Sequence, residues 1–109
     1  MKVAIVGSRG VVAQGLERFV SLGDEIVSGG AKGVDQCAAD YARAHGLKLT
    51  EFLPQYERYG RAAPLIRNRK IVEYADKLVV FWDGYSKGTH FVIQYAARIG
   101  KPCEVVLCP

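Results

Sequence analysis

The chain has 109 residues, half of them apolar and 24% charged, the size and balance of one folded domain and not of a disordered or fibrous chain. No apolar run approaches the ~18 residues of a membrane span, and the opening Met-Lys-Val-Ala-Ile-Val-Gly reads as a first strand, not a signal peptide. The net charge of +4 is carried by residues 57–70, ERYGRAAPLIRNRK, in which five basic side chains stand against Glu57; that concentration suits a focused anion site or an ordinary solvated face, and suits a long nucleic-acid track less.

In chain order, Val3–Val6 ending at Gly7 reads as a short strand buried on both faces. Val12, Leu16, Phe19 and Val20 follow helical spacing, which predicts a helix over residues 11–22 that stops near Gly23. EIVS, ending at Ser28, is a second strand. The turn Gly29-Gly30-Ala31-Lys32-Gly33 leads into a helix carrying Val34, Cys37, Ala38, Tyr41 and Ala42, with Gly46 as its stop. Leu47–Leu53 is a third strand, and Pro54 to Ala63 a loop. Pro64 suits the first turn of a helix running to about Ala75. Lys77–Trp82, KLVVFW, is a fourth strand. The turn from Asp83 to Gly88 enters a helix from Thr89 to about Ile99, and Glu104–Leu107 closes the series.

Alternating buried strands and helices make parallel βαβ units with right-handed crossovers. The fold class is therefore α/β, a single Rossmann-like domain of residues 1–109 with five parallel strands and helices on both faces. In such a sheet every βα loop emerges at one carboxyl edge, where ligands bind. GSRG, SGGAKG, PQYERYGRAA and WDGYSKGT share that edge, and each carries a cation.

The chemistry of these loops is that of phosphate recognition. Ser28, Gly29, Gly30, Lys32 and Gly33, followed by Asp35, combine close backbone approach, a helix N-terminus, a hydroxyl and a charge. A tight turn that needs glycine for shape is the competing reading. In the last βα turn Gly84, Ser86, Gly88 and Thr89 repeat the logic, with Thr89 a cap or phosphate ligand. Asp83 is a ribose contact, an acid or base, or simply a turn former. Gly7, Ser8 and Arg9 lie at the switch point, where Arg9 can pair with phosphate. Arg67 and Arg69 point to different faces of their helix, so one meets the site, and Asn68 between them favours a polar role. Trp82 stacks on a base or packs in the core. His90 follows this turn without a placed partner.

GxGxxG, GxxxxGK[ST] and HExxH are all missing, which argues against NAD binding in the usual mode, P-loop ATPases and zincins. Cys37, Cys103 and Cys108 form no CxxC pair, so neither a disulfide framework nor a zinc site is expected, and a reducing cytoplasm suits them.

MKVAIVGSRG, IVSGGAKGVDQCAADYA, LIRNRKIVEYADKLVVFWDG and SKGTHFVIQYA together resemble the SLOG superfamily. These are Rossmann-like domains shared by DprA/Smf DNA-processing proteins and LOG-type phosphoribohydrolases. The chain looks most like its small stand-alone YspA-type members. The resemblance covers nearly all of the chain, and implies a strand order 3-2-1-4-5, a nucleotide-type ligand at the loops named above and a homodimer or higher oligomer. LOG enzymes carry PGGxGTxxE, whose glutamate acts in N-glycosidic cleavage. Gly88-Thr89 aligns with its GT, but Val92 stands at the glutamate position, and a valine cannot activate water.

The expected function is binding or sensing of a nucleotide or ADP-ribose-like small molecule, with no cofactor, no metal and no membrane partner. The alternative is an N-glycosidic hydrolase using Asp83 or Asp35 as its carboxylate. A third reading is DprA-like binding of single-stranded DNA by an oligomer.

Overall fold

The computed structural model describes residues 1–108. Five strands, β1 (Lys2–Gly7), β2 (Glu25–Ser28), β3 (Lys48–Glu51), β4 (Lys77–Trp82) and β5 (Cys103–Leu107), form one all-parallel sheet in the order β3-β2-β1-β4-β5. The helices are α1 (Val34–Ala44), α2 (Tyr56–Tyr59), α3 (Ala63–Tyr74) and α4 (Lys87–Ile99).

The central strands are apolar at consecutive positions because each face meets a separate core. Val3, Ile5, Ile26, Val79 and Phe81 pack with Val34, Ala38 and Ala42 of α1 on one side. Ala4, Val6, Val27, Leu78 and Val80 pack with Ile71, Val72 and Ala75 from α3 and its end, and with Val92 and Ala96 of α4, on the other. The small residues of α1 and α4 let these helices lie close to the sheet. Strand order reverses between β1 and β4, so a crevice opens between the loops that follow them.

The predicted helix over residues 11–22 does not form. Val11 and Ala13 are buried while Val12 is 64% exposed, the two-residue alternation of extended chain. Gly15 then turns with φ +70°, and only Leu16–Arg18 winds, as a 3₁₀ turn. The helical spacing of Val12, Leu16, Phe19 and Val20 is coincidental: Leu16 and Val20 reach the core, but from a segment that two flanking valines and a left-handed glycine keep from coiling.

Three smaller differences concern element ends. The stretch read as a loop from Pro54 to Ala63 holds the single turn α2 and a 3₁₀ turn over Gly60–Ala62. The last long helix starts at Lys87 with Ser86 as its N-cap residue, so Thr89 lies in the first turn and does not cap. The predicted stop at Gly46 forms as read: Gly46 takes φ +65°, and the Leu47 N–H reaches back to the Ala42 carbonyl at 2.9 Å, closing α1 in a Schellman turn. The three cysteines are free, each half-buried.

Candidate functional site

A cleft of about 360 Å³ lies at the carboxyl edge of the sheet, over the crevice between β1 and β4. Its first wall is the loop after β1, where Gly7, Ser8, Arg9 and Gly10 line it. Gly7 cannot be larger: a Cβ there would lie 2.5 Å from the Phe81 carbonyl oxygen and 2.6 Å from a Val34 methyl. Ser8 is buried and its hydroxyl is a junction. Ser8 Oγ accepts the Asp83 N–H at 3.2 Å and lies 3.4 Å from Thr89 Oγ1, so the loops after β1 and β4 are tied together at the floor. Arg9 is exposed at the rim.

The opposite wall comes from the turn after β4 and the start of α4. Ser86, Gly88 and Thr89 line the cleft. Among the described residues no side chain caps the α4 N-terminus, which leaves its first-turn N–H groups available to an anion. Asp83 is occupied by its own turn: Oδ1 accepts the N–H groups of Tyr85 and Ser86, both at 2.8 Å, and the Ser86 hydroxyl bonds both carboxylate oxygens. The Ser86 and Tyr85 N–H bonds, more than anything else, hold the Asp83 carboxyl below the usual aspartate range. Such a carboxylate is a poor proton donor, and its place in the turn is the turn-forming role weighed above.

The third wall joins the loop after β2 to α3. Gly29, Ala31, Asp35, Arg67 and Asn68 line it. Arg67 Nη1 donates to the Gly29 carbonyl at 2.7 Å, and Nε donates to Asn68 Oδ1 at 2.8 Å, which fixes the guanidinium in place. A Cβ at Gly29 would meet Arg67 Nη1 at 2.6 Å and Asp35 Oδ2 at 3.0 Å, so glycine makes room for both side chains. Asp35 Oδ2 accepts the Ala31 N–H at 3.1 Å. Burial pushes the Asp35 carboxyl above its ordinary value, against the opposing pull of the Ala31 N–H and the Arg67 charge. Burial likewise pulls the Arg67 guanidinium down, with Asp35 opposing. Arg69 points away and lies over the Tyr95 ring at 5.4 Å, the division of faces that the two-residue spacing predicts.

Several residues read as ligand contacts do not line the cleft. Ser28 is fully buried beneath the loop, with its Oγ accepting the Gly30 N–H at 3.4 Å. Gly30, at φ +71°, makes room for Leu53. Gly33, at φ +81°, brings its loop against the Arg9 carbonyl, which a Cβ would approach to 2.5 Å. Lys32 is exposed on the loop. Trp82 donates from its ring N–H to the Ser86 carbonyl at 3.1 Å and stacks on His90 at 5.3 Å, which buttresses the turn from outside. Gly84, at φ +87°, shapes the same turn. Conversely Pro64, Ile71 and Val92 line the cleft without having been singled out as contacts. Apolar floor residues carry no chemical signature that would pick them from a sequence. Val92 is buried, so the position that aligns with the LOG glutamate presents a methyl surface to the cleft. Among the described residues, no group of three or more His, Cys, Asp or Glu side chains is placed to hold a metal ion.

No curated protein and no solved structure matches the chain significantly. A comparison with protein families matches residues 1–59, which hold β1 to β3 and the two loops GSRG and SGGAKG. With more than half its length matched, the parallel sheet in the order 3-2-1-4-5 and the cleft at its switch point, the chain belongs to the YspA, cpYpsA-related SLOG family.

Proposed function

We propose that this single SLOG-like domain binds the phosphorylated part of a nucleotide or nucleotide-derived molecule in the cleft between β1 and β4. The observation that carries the reading is the convergence, in one cleft, of the Ser8 and Thr89 hydroxyls, the uncapped start of α4, and two arginines, Arg9 and Arg67. An anion there meets hydrogen-bond donors from two loops and a helix terminus, with full charges at the rim and on the third wall.

Calorimetric titration with AMP and ADP-ribose tests the reading. The wild-type protein is expected to bind saturably. Arg9→Ala should weaken binding by roughly tenfold or more, the size of a lost charge-assisted hydrogen bond. Thr89→Val keeps the shape of a buried side chain and should weaken it by about fivefold. Saturable binding by neither ligand, or binding indifferent to both substitutions, contradicts the proposal.

One observation favours a hydrolytic role as the second reading. Asp35 is a buried carboxyl in the cleft wall whose pKa is raised, the condition of a group that holds a proton at higher pH than an exposed aspartate does. Asp35, and not Asp83, is then the carboxylate to test for N-glycosidic cleavage. Release of free base that disappears in Asp35→Asn would support that role, and release unchanged in Asp35→Asn would exclude it.

A further inference from the structure

A second pocket, of about 300 Å³, opens beside the cleft, and Arg67 lines both. Its walls are apolar and partly aromatic: Phe52 and Leu53 follow β3, Tyr59 ends α2, and Ile66 faces in from α3. Leu53 is 60% exposed at the rim, where Gly30 makes room for it. Exposed leucine beside half-buried aromatics at a pocket mouth is unspent apolar surface of the kind a flat ring covers. Besides Arg67, the side chains of Glu51, Gln55 and Lys70 line the same pocket; Lys70 Nζ lies over the Tyr59 ring at 5.6 Å, while Glu51 and Gln55 have no side-chain hydrogen bond or ion pair among the described residues. Glu51 lies close enough to Asp35 to act on its charge, so the two sites share one electrostatic neighbourhood.

We propose that this pocket is a nucleobase subsite that selects bases bearing an exocyclic amino group. The inference rests on the phosphate reading of the adjoining cleft and deepens it. An ionised carboxylate only accepts hydrogen bonds, so Glu51 favours an amino group at the base edge and opposes a carbonyl lone pair there. Gln55 both donates and accepts, which lets it complete the pairing with a ring nitrogen. Adenine and cytosine meet these demands. Hypoxanthine and uracil place a carbonyl oxygen where adenine and cytosine place the amino group. Phosphate in the cleft, ribose near Arg67 and base between Leu53 and Tyr59 would occupy the two pockets as one continuous site.

The test is a set of calorimetric titrations with AMP, IMP, CMP, UMP and ribose 5-phosphate, a probe with the sugar phosphate and no base. AMP is expected to bind about tenfold tighter than IMP, and CMP about tenfold tighter than UMP, the contribution of one charged hydrogen bond at a solvent-accessible rim. AMP should also bind at least tenfold tighter than ribose 5-phosphate. Glu51 is exposed at the end of its strand, so Glu51→Gln does not threaten the fold, and in that variant the AMP-to-IMP ratio should fall close to one. Equal affinity for AMP and ribose 5-phosphate would overturn the base subsite while leaving the phosphate cleft standing. An AMP-to-IMP ratio near one in the wild type, or one unchanged in Glu51→Gln, would overturn the amino selectivity. Binding of none of these probes would overturn both readings together.

Discussion

At the residue scale the cleft is built by side chains that hold one another before any ligand arrives. Ser8 ties the first and last βα loops, and Arg67 is locked by the Gly29 carbonyl and Asn68. A guanidinium fixed in this way loses less freedom when it meets an anion than one that is free in solvent. Gly29 leaves as space for Arg67 and Asp35 what a side chain would fill. Gly29→Ala should therefore leave the backbone unstrained but displace Arg67, weakening nucleotide binding about tenfold; titration with AMP alongside a thermal melt checks this. Loss of binding with little loss of stability is the expected outcome. Ser8, Arg9 and Thr89 are legible in the sequence as cleft residues because a parallel sheet sends every βα loop to one edge, and Asn68 because a polar residue of modest helix propensity stands inside a helix. Gly30 and Gly33, read from the sequence as phosphate contacts, do not line the cleft, and what they accommodate, Leu53 and the Arg9 carbonyl, comes from other segments of the chain. Composition within a loop does not disclose a neighbour from elsewhere.

At the element scale the strands and three helices follow from periodicity and their stop signals, and the connection after β1 does not. Buried parallel strands leave a continuous apolar run, as in KLVVFW, whose limits coincide with β4. Residues 11–22 hold apolar side chains at helical spacing, yet the segment packs on the sheet as extended chain and one 3₁₀ turn, because tertiary burial can satisfy the same residues from either backbone. Far from the cleft, Glu25 binds β2, β3 and α3 together: its carboxylate accepts Tyr74 Oη at 2.5 Å and Thr50 Oγ1 at 2.7 Å. These two bonds, with Tyr74 the larger influence, hold the Glu25 carboxyl below its ordinary value of 4.5. A carboxyl lowered in the folded state adds stability above its unfolded pKa and loses it as the pH falls through the folded value. Tyr74→Phe should thus cost about 1 kcal/mol at pH 7, and the deficit should shrink toward pH 3. Thermal melts of both proteins across that range measure it, and a deficit constant with pH would show that the Tyr74 bond to the charged carboxylate is not its source.

At the scale of the whole molecule, the positive charge concentrated in residues 57–70 meets the cleft through one side chain, Arg67. That segment spans α2 and the first part of α3, and Arg67 from its inner face lines both pockets while Arg69 turns outward. Arg67 therefore brings part of that charge to the carboxyl edge, in the cleft that the start of α4 also lines. Family membership rests on the first half of the chain, and the second half supplies Arg67, the turn at Asp83 and Thr89, so the site needs both. Val92 lines the cleft at the position that aligns with the LOG glutamate, so the LOG mechanism lacks its carboxylate there. The most direct test is a titration of uniformly ¹⁵N-labelled protein with AMP, followed through the backbone amide resonances. The account predicts that the saturating shifts concentrate in Gly7–Gly10, Gly29–Ala31 and Ser86–Thr89. Shifts confined to other parts of the surface, or none at millimolar AMP, would contradict it.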